Sequence, residues 1–243
     1  MHPLNADVMI CRNESAVARE AAGRFVACAM RSIAERGQFA VAIPGGSSPR
    51  GMLEALVCND LARLVPWEKT HIFFTDERCV PPDSDESNYR LANDLFLSRV
   101  RLPAGNIHRF LTEREPQQAA AEYEKTLLRV LRDRPQLDLV ILGMGADTHT
   151  ASLFPHSPVL EETQRLAVAT HVEKLDSHRL TLTVPMLSGA REIVILAMGE
   201  EKAEALRDVL QGPINPTTHP VQAIQPVDGS LLWIVDQLAA QRL

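Results

Sequence analysis

Val17, Ala21, Phe25, Ala29 and Ile33 recur every four residues, which places one apolar stripe along residues 13–36 and predicts a long amphipathic helix. Asn13 suits its N-cap and Gly37 its stop. The apolar run 39–43 follows as a short buried strand. It ends at Pro44-Gly45-Gly46-Ser47-Ser48-Pro49, and a helix is expected from near Pro49 to about Cys58. Residues 71–75 read as the next strand, ending at Asp76-Glu77-Arg78. A polar loop over 81–87 leads into a helix over 88–100, and 115–134 forms a polar amphipathic helix. Residues 137–142, 166–169, 180–184 and 193–197 are further strands, and 200–210 is a helix. The end, 231–240, is either a strand passing into a helix or a helix alone. The stretch 212–226 is rich in proline and polar residues and predicts a long loop, a lid or a plain connection.

Strands thus alternate with helical patterns for most of the chain. That order predicts an α/β fold with a mostly parallel sheet and helices on both faces. There is no internal repeat, and no linker divides the chain, so residues 1–243 are expected to form a single domain.

Composition narrows the function classes. Net charge is −6, which argues against a nucleic-acid binder, since that would need a basic surface. An anionic substrate stays open, because local charge can oppose net charge. Cys11, Cys28, Cys58 and Cys79 lack the close spacing of a zinc knuckle or redox dithiol. The first residues carry neither the basic start nor the long apolar core of a secretory signal. No apolar run approaches the ~20 residues of a membrane span. A cytoplasmic protein with no membrane partner is expected.

Candidate chemistry gathers where predicted strands end. Leu137 to Pro155 reads LDLVILGMGADTHTASLFP: an apolar run stops at Gly143 and Gly145, and Asp147 and His149 follow. In open α/β sheets ligands bind beyond the carboxyl ends of the strands. Histidine is the usual general base near neutral pH, and Asp147 is placed to orient it. The bland alternative is a capping Asp beside a structural His. A metal is not expected, because two ligands are too few. Ser152 lacks the G-x-S-x-G elbow of a nucleophile.

The loop Gly45-Gly46-Ser47-Ser48 joins a strand to a helix, where backbone N–H groups can approach a phosphate or carboxylate. It is neither a Walker A loop nor a dinucleotide fingerprint, and a plain tight turn is the competing reading. Arg78 offers a forked guanidinium for a phosphate, and Asp76 a group to move protons or order a water; a solvated polar turn is the alternative. Lys202, at a helix start, could reach an anion, but from spacing alone a plain surface lysine is the leading reading, and Arg179, opening a strand, is similarly ambiguous. His156, His171, His178 and His219 read as surface or loop residues.

Taken in order, IPGGSSPRGMLEAL, FFTDERCVPPDSDESNYRLANDLF, LDLVILGMGADTHTASLFP, RLTLTVPMLSGAREIVILAMGEEKAEAL and HPVQAI resemble the 6-phosphogluconolactonase family, from about residue 40 to 225. That family sits with the glucosamine-6-phosphate deaminases in a superfamily with a Rossmann-like sheet. The resemblance implies hydrolysis of 6-phospho-D-glucono-1,5-lactone to 6-phosphogluconate in the oxidative pentose phosphate pathway. It implies a phosphorylated sugar lactone as substrate, no metal and no organic cofactor; a monomer is expected. By the same resemblance Gly45, Gly46 and Ser47 lie near the sugar phosphate, with Arg78 and Lys202 as its ligands. Asp76, Glu77 and Arg78 match the family's Asp-Glu-Arg turn, and Arg179 the arginine before its Thr-Leu-Thr strand. His149 matches the proposed catalytic histidine, with Asp147 as partner. The family usually has glycine where this chain has Thr148; a positive φ there would strain a β-branched residue. Two rivals remain. A deaminase would carry Glu seven residues after the Asp, where this chain has Phe154. A non-catalytic sugar-phosphate-binding protein would keep the anion loop and lose the acid–base pair.

Overall fold

The computed structural model describes residues 7–132 and 135–243, apart from the Asn59 side chain. In chain order the elements are β1 (Asp7–Cys11), α1 (Glu14–Arg36), β2 (Phe39–Ile43), α2 (Arg50–Leu56), α3 (Asn59–Ala62), β3 (Thr70–Phe74), β4 (Asp76–Arg78), α4 (Asn88–Leu95), β5 (Ile107–His108) and α5 (Pro116–Leu131). Then come β6 (Leu139–Gly143), β7 (Ala167–Val172), β8 (Ser177–Leu182), α6 (Val184–Ser188), β9 (Glu192–Ala197), α7 (Ala203–Gln211) and β10 (Ser230–Asp236).

The predicted first helix is α1. The Asn13 side chain accepts from the Ala16 N–H, and Gly37 closes the far end in a left-handed conformation at φ 80°. The helix expected over 88–100 stops at Leu95 and tightens into a 3-10 turn over Leu97–Arg99. The one over 115–134 is helical to Leu131, and its last two residues lie outside the described ones. The ambiguous end resolves as a strand, β10, because it pairs along six residues of β9.

Seven parallel strands form the central sheet in the order β1-β10-β9-β6-β2-β3-β5. Every residue of β2 and of β9 is buried, so both faces of the sheet are covered; such strands read as continuous apolar runs, not as alternation. From β2 the chain builds outward through β3 and β5. It then returns to the other side of β2 as β6 and builds the opposite way through β9 and β10. The order therefore reverses between β2 and β6, and the crevice beyond that reversal is where such sheets bind ligands.

Two expected strands do not join this sheet. Of the strands predicted at 166–169 and 180–184, residues 167–169 and 180–182 belong to β7 and β8, while Val184 opens α6; β8 pairs antiparallel with β4 on one side and β7 on the other in a separate three-stranded sheet, order β4-β8-β7. The Asp76-Glu77-Arg78 turn is thereby the strand β4. The Leu182 N–H donates to Thr75 O at 2.8 Å and the Thr75 N–H to Ile43 O at 3.0 Å, so Thr75 ties the small sheet to the large one. Tyr123 of α5 is fully buried and pins the same corner. Its hydroxyl accepts from the Phe74 N–H at 2.7 Å and lies 3.1 Å from Phe74 O.

No helix among the described residues is long and apolar enough to cross a membrane. At the β3–β5 edge His71 Nδ1 and His108 Nε2 stand 3.1 Å apart, and His108 stacks on Phe73 with centroids at 4.5 Å. Burial, then the neighbouring His71 and Arg129, pushes the His108 pKa down to about 4. Unfolded chain takes up protons as pH falls through about 6.5, while folded His108 resists until about 4, so stability declines across that window and then levels off. The loss is on the order of 3 kcal/mol, or several degrees of Tm. Thermal melts of His108→Gln at pH 7 and at 4.5 should therefore differ less than those of wild type.

Candidate active site

Four adjacent strands, β9, β6, β2 and β3, release their following loops on the same side of the sheet, because parallel strands all end together. After β2, Gly46 takes φ 79° and lets the chain turn sharply into α2. Gly45 is required by close approach: a Cβ there would collide with the Asn88 amide. Ser48 packs on Gly143, where a Cβ would stand 3.2 Å from its Oγ.

After β3, Asp76 is buried and its carboxyl is held from three sides. Oδ2 accepts from Ser152 Oγ at 2.8 Å; Oδ1 accepts from Thr75 Oγ1 at 3.2 Å and Asn88 Nδ2 at 3.4 Å. Glu77 turns away from the cleft to organise the start of α4. It accepts from the N–H groups of Arg78, Asn88 and Tyr89, each at 2.8 Å, and from Ser87 Oγ at 3.1 Å. Burial raises its pKa despite those donors. Arg78 lies directly opposite Arg179 in the antiparallel β4–β8 ladder. The Arg179 pKa is lowered, first by burial and then by Arg78.

After β6 the chain folds into a tight turn. The Thr148 N–H donates to Gly145 O at 3.0 Å, and the Gly145 N–H to His149 O at 2.9 Å. The turn brings His149 Nδ1 to 2.5 Å from Asp147 Oδ1, with Lys174 Nζ 3.9 Å from Asp147 Oδ2. The hydrogen bond from His149 holds the Asp147 pKa at about 2. Stability gained from that carboxylate is complete above its usual value of 3.8 and is lost only as pH falls through about 2. Phe154 stacks on His149 at 4.5 Å and 21°. With Nδ1 engaged, Nε2 is the ring nitrogen left for another partner. After β9, Gly199 at φ 91° begins a 3-10 turn, Glu200–Lys202, that precedes α7 and carries Lys202.

These groups line two adjoining clefts that share Asp76, Arg78, His149 and Ala151. The first, about 190 Å³, adds Gly45, Gly46, Ser47, Ser48, Asn88 and Lys202. The second, about 300 Å³, adds Asp147, Ser152, Phe154, Lys174 and Arg179. Each of the nine residues singled out from the sequence thus reaches one cleft or both. Among the described residues no group of three or more His, Cys, Asp or Glu is placed to hold a metal ion. The arrangement offers an oriented imidazole between a cationic, glycine-floored recess and a second recess with two more cations. That combination suits base-assisted attack on an anionic substrate.

The family model for glucosamine-6-phosphate isomerases/6-phosphogluconolactonase matches residues 12–233. The chain belongs to this family. It is similar to the 6-phosphogluconolactonase of Synechocystis sp., 40% identical over 218 residues that cover 88% of each chain. Among solved structures it is similar to the devB protein, with TM-score 0.89 and 32% identity over 98% of this chain and 99% of that one. It is likewise similar to 6-phosphogluconolactonase from Thermotoga maritima, with TM-score 0.81 and 27% identity over 96% of this chain and all of the other.

Thr148, where the resemblance led glycine to be expected, adopts a positive φ, 66°. A β-branched residue there carries roughly 1–3 kcal/mol of strain. His149 nevertheless reaches Asp147, so the turn keeps its form. Of the backbone N–H groups around this turn, that of Met144 is committed to Leu196 O at 3.3 Å and that of Gly145 to His149 O. His219 lies in a loop, as expected, and from there reaches Thr148. Asn88, Lys174 and the structural role of Ser152 had no local signal, since each depends on a partner distant in sequence.

A Cβ at Gly145 would collide with the His149 imidazole and crowd the Asp147 carboxylate. Gly145→Ala should therefore lower kcat roughly 100-fold by misplacing the pair. Inorganic phosphate should still bind as in wild type, measured by competition with substrate.

Proposed function

We propose that this chain hydrolyses 6-phospho-D-glucono-1,5-lactone to 6-phosphogluconate, the lactonase step of the oxidative pentose phosphate pathway, with His149 as general base. Family membership supports the reaction. The observation that carries the base assignment is the His149 Nδ1 to Asp147 contact at 2.5 Å inside a cleft lined by cations.

Gly45, Gly46, Ser47, Arg78 and Lys202 hold the phosphate, which fixes the distance from C1 of the lactone to His149. His149 Nε2 takes a proton from water as the water oxygen bonds to C1. Asp147 accepts the Nδ1–H, sets the tautomer and steadies the imidazolium that forms. Asp76, clamped by Ser152, Asn88 and Thr75, orders the attacking water. Lys174 and Arg179 lie on the side of the second cleft and stabilise the tetrahedral oxyanion. As the intermediate collapses, the bond from C1 to the ring oxygen breaks and that oxygen receives the proton from His149. The nascent acid then ionises in neutral solution. Phe154 covers the imidazole with an apolar face where a deaminase would place a proton-shuttling carboxylate, which supports the lactonase reading.

Proton release on adding freshly generated lactone tests this. His149→Ala should lose about 10²–10⁴ in kcat while retaining phosphate binding. Turnover equal to wild type would remove the base assignment, and no acceleration by wild type over the spontaneous reaction would favour a binding-only protein. Asp147, held near 2, stays ionised through the assay range. Asp147→Asn deletes the charge that steadies the imidazolium, so kcat should fall at least about tenfold while phosphate still binds.

A further inference from the structure

Thr148 separates the two members of the Asp147–His149 pair, yet its side chain lines neither substrate cleft. It is buried at 3% exposure and faces a crevice behind the turn, shared with Thr218, His219 and Pro155. Its backbone is left-handed at φ 66°, a conformation that L side chains avoid unless their surroundings impose it. Those surroundings come from the distant segment 215–222. The Val221 N–H donates to Thr148 O at 3.2 Å. Thr148 Oγ1 lies 2.6 Å from Asp147 O, 3.3 Å from Thr218 O and 3.3 Å from His219 Nδ1.

The hydroxyl has one proton to give, and both carbonyls can only accept. The short contact to Asp147 O takes that proton. His219 then meets an oxygen that has lone pairs left, and Nδ1 carries the hydrogen that fills one.

The segment is itself well anchored. Asn215 O accepts from the N–H groups of Thr218 at 3.1 Å and His219 at 2.8 Å. The buried Gln222 side chain accepts from the Asn215 N–H at 2.7 Å and donates to Val209 O of α7 at 2.9 Å. The His156 N–H donates to Thr217 O at 2.9 Å, which binds the segment to the chain just after the catalytic turn.

We propose that residues 215–222 brace the catalytic turn, with His219 as a positioning residue: its Nδ1–H holds the Thr148 hydroxyl, which holds the Asp147 carbonyl and keeps the strained turn in register. The brace acts on the base assigned under Proposed function and rests on that reading. Glycine at position 148 needs no such support, because it enters the left-handed region freely. The coupling between His219 and the turn is therefore a property of threonine at this place.

A double-mutant cycle tests it. His219→Ala should lower kcat at least about tenfold with KM changed by less than about twofold, because the phosphate recess is untouched. Thr148→Gly should keep kcat within about threefold of wild type, and adding His219→Ala to it should change nothing more. His219→Asn, whose amide N–H can replace the donor, should restore most of the activity, and Thr148→Ser should stay as sensitive to His219→Ala as wild type. His219 is partly exposed, so its replacements leave the core intact. A second readout is independent of turnover: the proton resonance of the His149 Nδ1 bond to Asp147, in histidine-labelled protein. It should shift or broaden in His219→Ala and return in the double variant with Thr148→Gly. Equal kcat losses from His219→Ala in both position-148 backgrounds, a change confined to KM, or an unmoved His149 resonance would each overturn the brace. Full activity in His149→Ala would instead overturn the base reading alone, leaving the resonance to judge the brace.

Discussion

The parallel alignment of β9, β6, β2 and β3 is the constraint on which the site depends. Each strand delivers one group at the same level: a lysine turn, an acid–base turn, a glycine loop and an acid strand. The reversal of strand order between β2 and β6 leaves the crevice open at the centre. Any change of register in this sheet would move four loops together. The strands are accordingly almost wholly buried and mostly apolar, while nearly all the chemistry sits beyond their ends.

Placement within that frame comes from close approach and shared carboxylates. Gly45 and Gly145 are small because side chains already occupy the space their Cβ atoms would need: Asn88 in one case, His149 in the other. Asp76 and Glu77 are neighbours with opposite tasks. One faces the junction of the clefts, clamped by three side-chain donors. The other collects the N–H groups of Asn88 and Tyr89 at the start of α4, with that of its neighbour Arg78 and the Ser87 hydroxyl, and so fixes where Ser87 and Asn88 stand.

Much of this was readable from the chain. The four-residue apolar stripe and its caps located α1 to within a residue, and unbroken apolar runs announced β2, β6 and β9. Strand-end glycines and polar residues pointed to the glycine loop, Asp76, Arg78, Asp147 and His149, whereas Lys202 and Arg179 rested on the family resemblance. The small antiparallel sheet was not readable as such. β4 is Asp-Glu-Arg and carries no alternation, and whether a strand runs parallel or antiparallel is settled by partners far along the chain. β1 is largely exposed at the sheet edge and β5 has two residues, so neither offers a pattern. Asn88 and His219 act through contacts with residues 12 and 71 positions away, which no local window contains.

The Arg78–Arg179 pairing carries a consequence of its own. Like charges set directly opposite across a ladder repel each other. Backbone hydrogen bonds fix that pairing, so the two strands cannot slide to relieve it. The pairing is in this respect a loaded spring. Negative charge brought near both side chains would relieve it, so part of any attraction for such charge is stored in the protein beforehand.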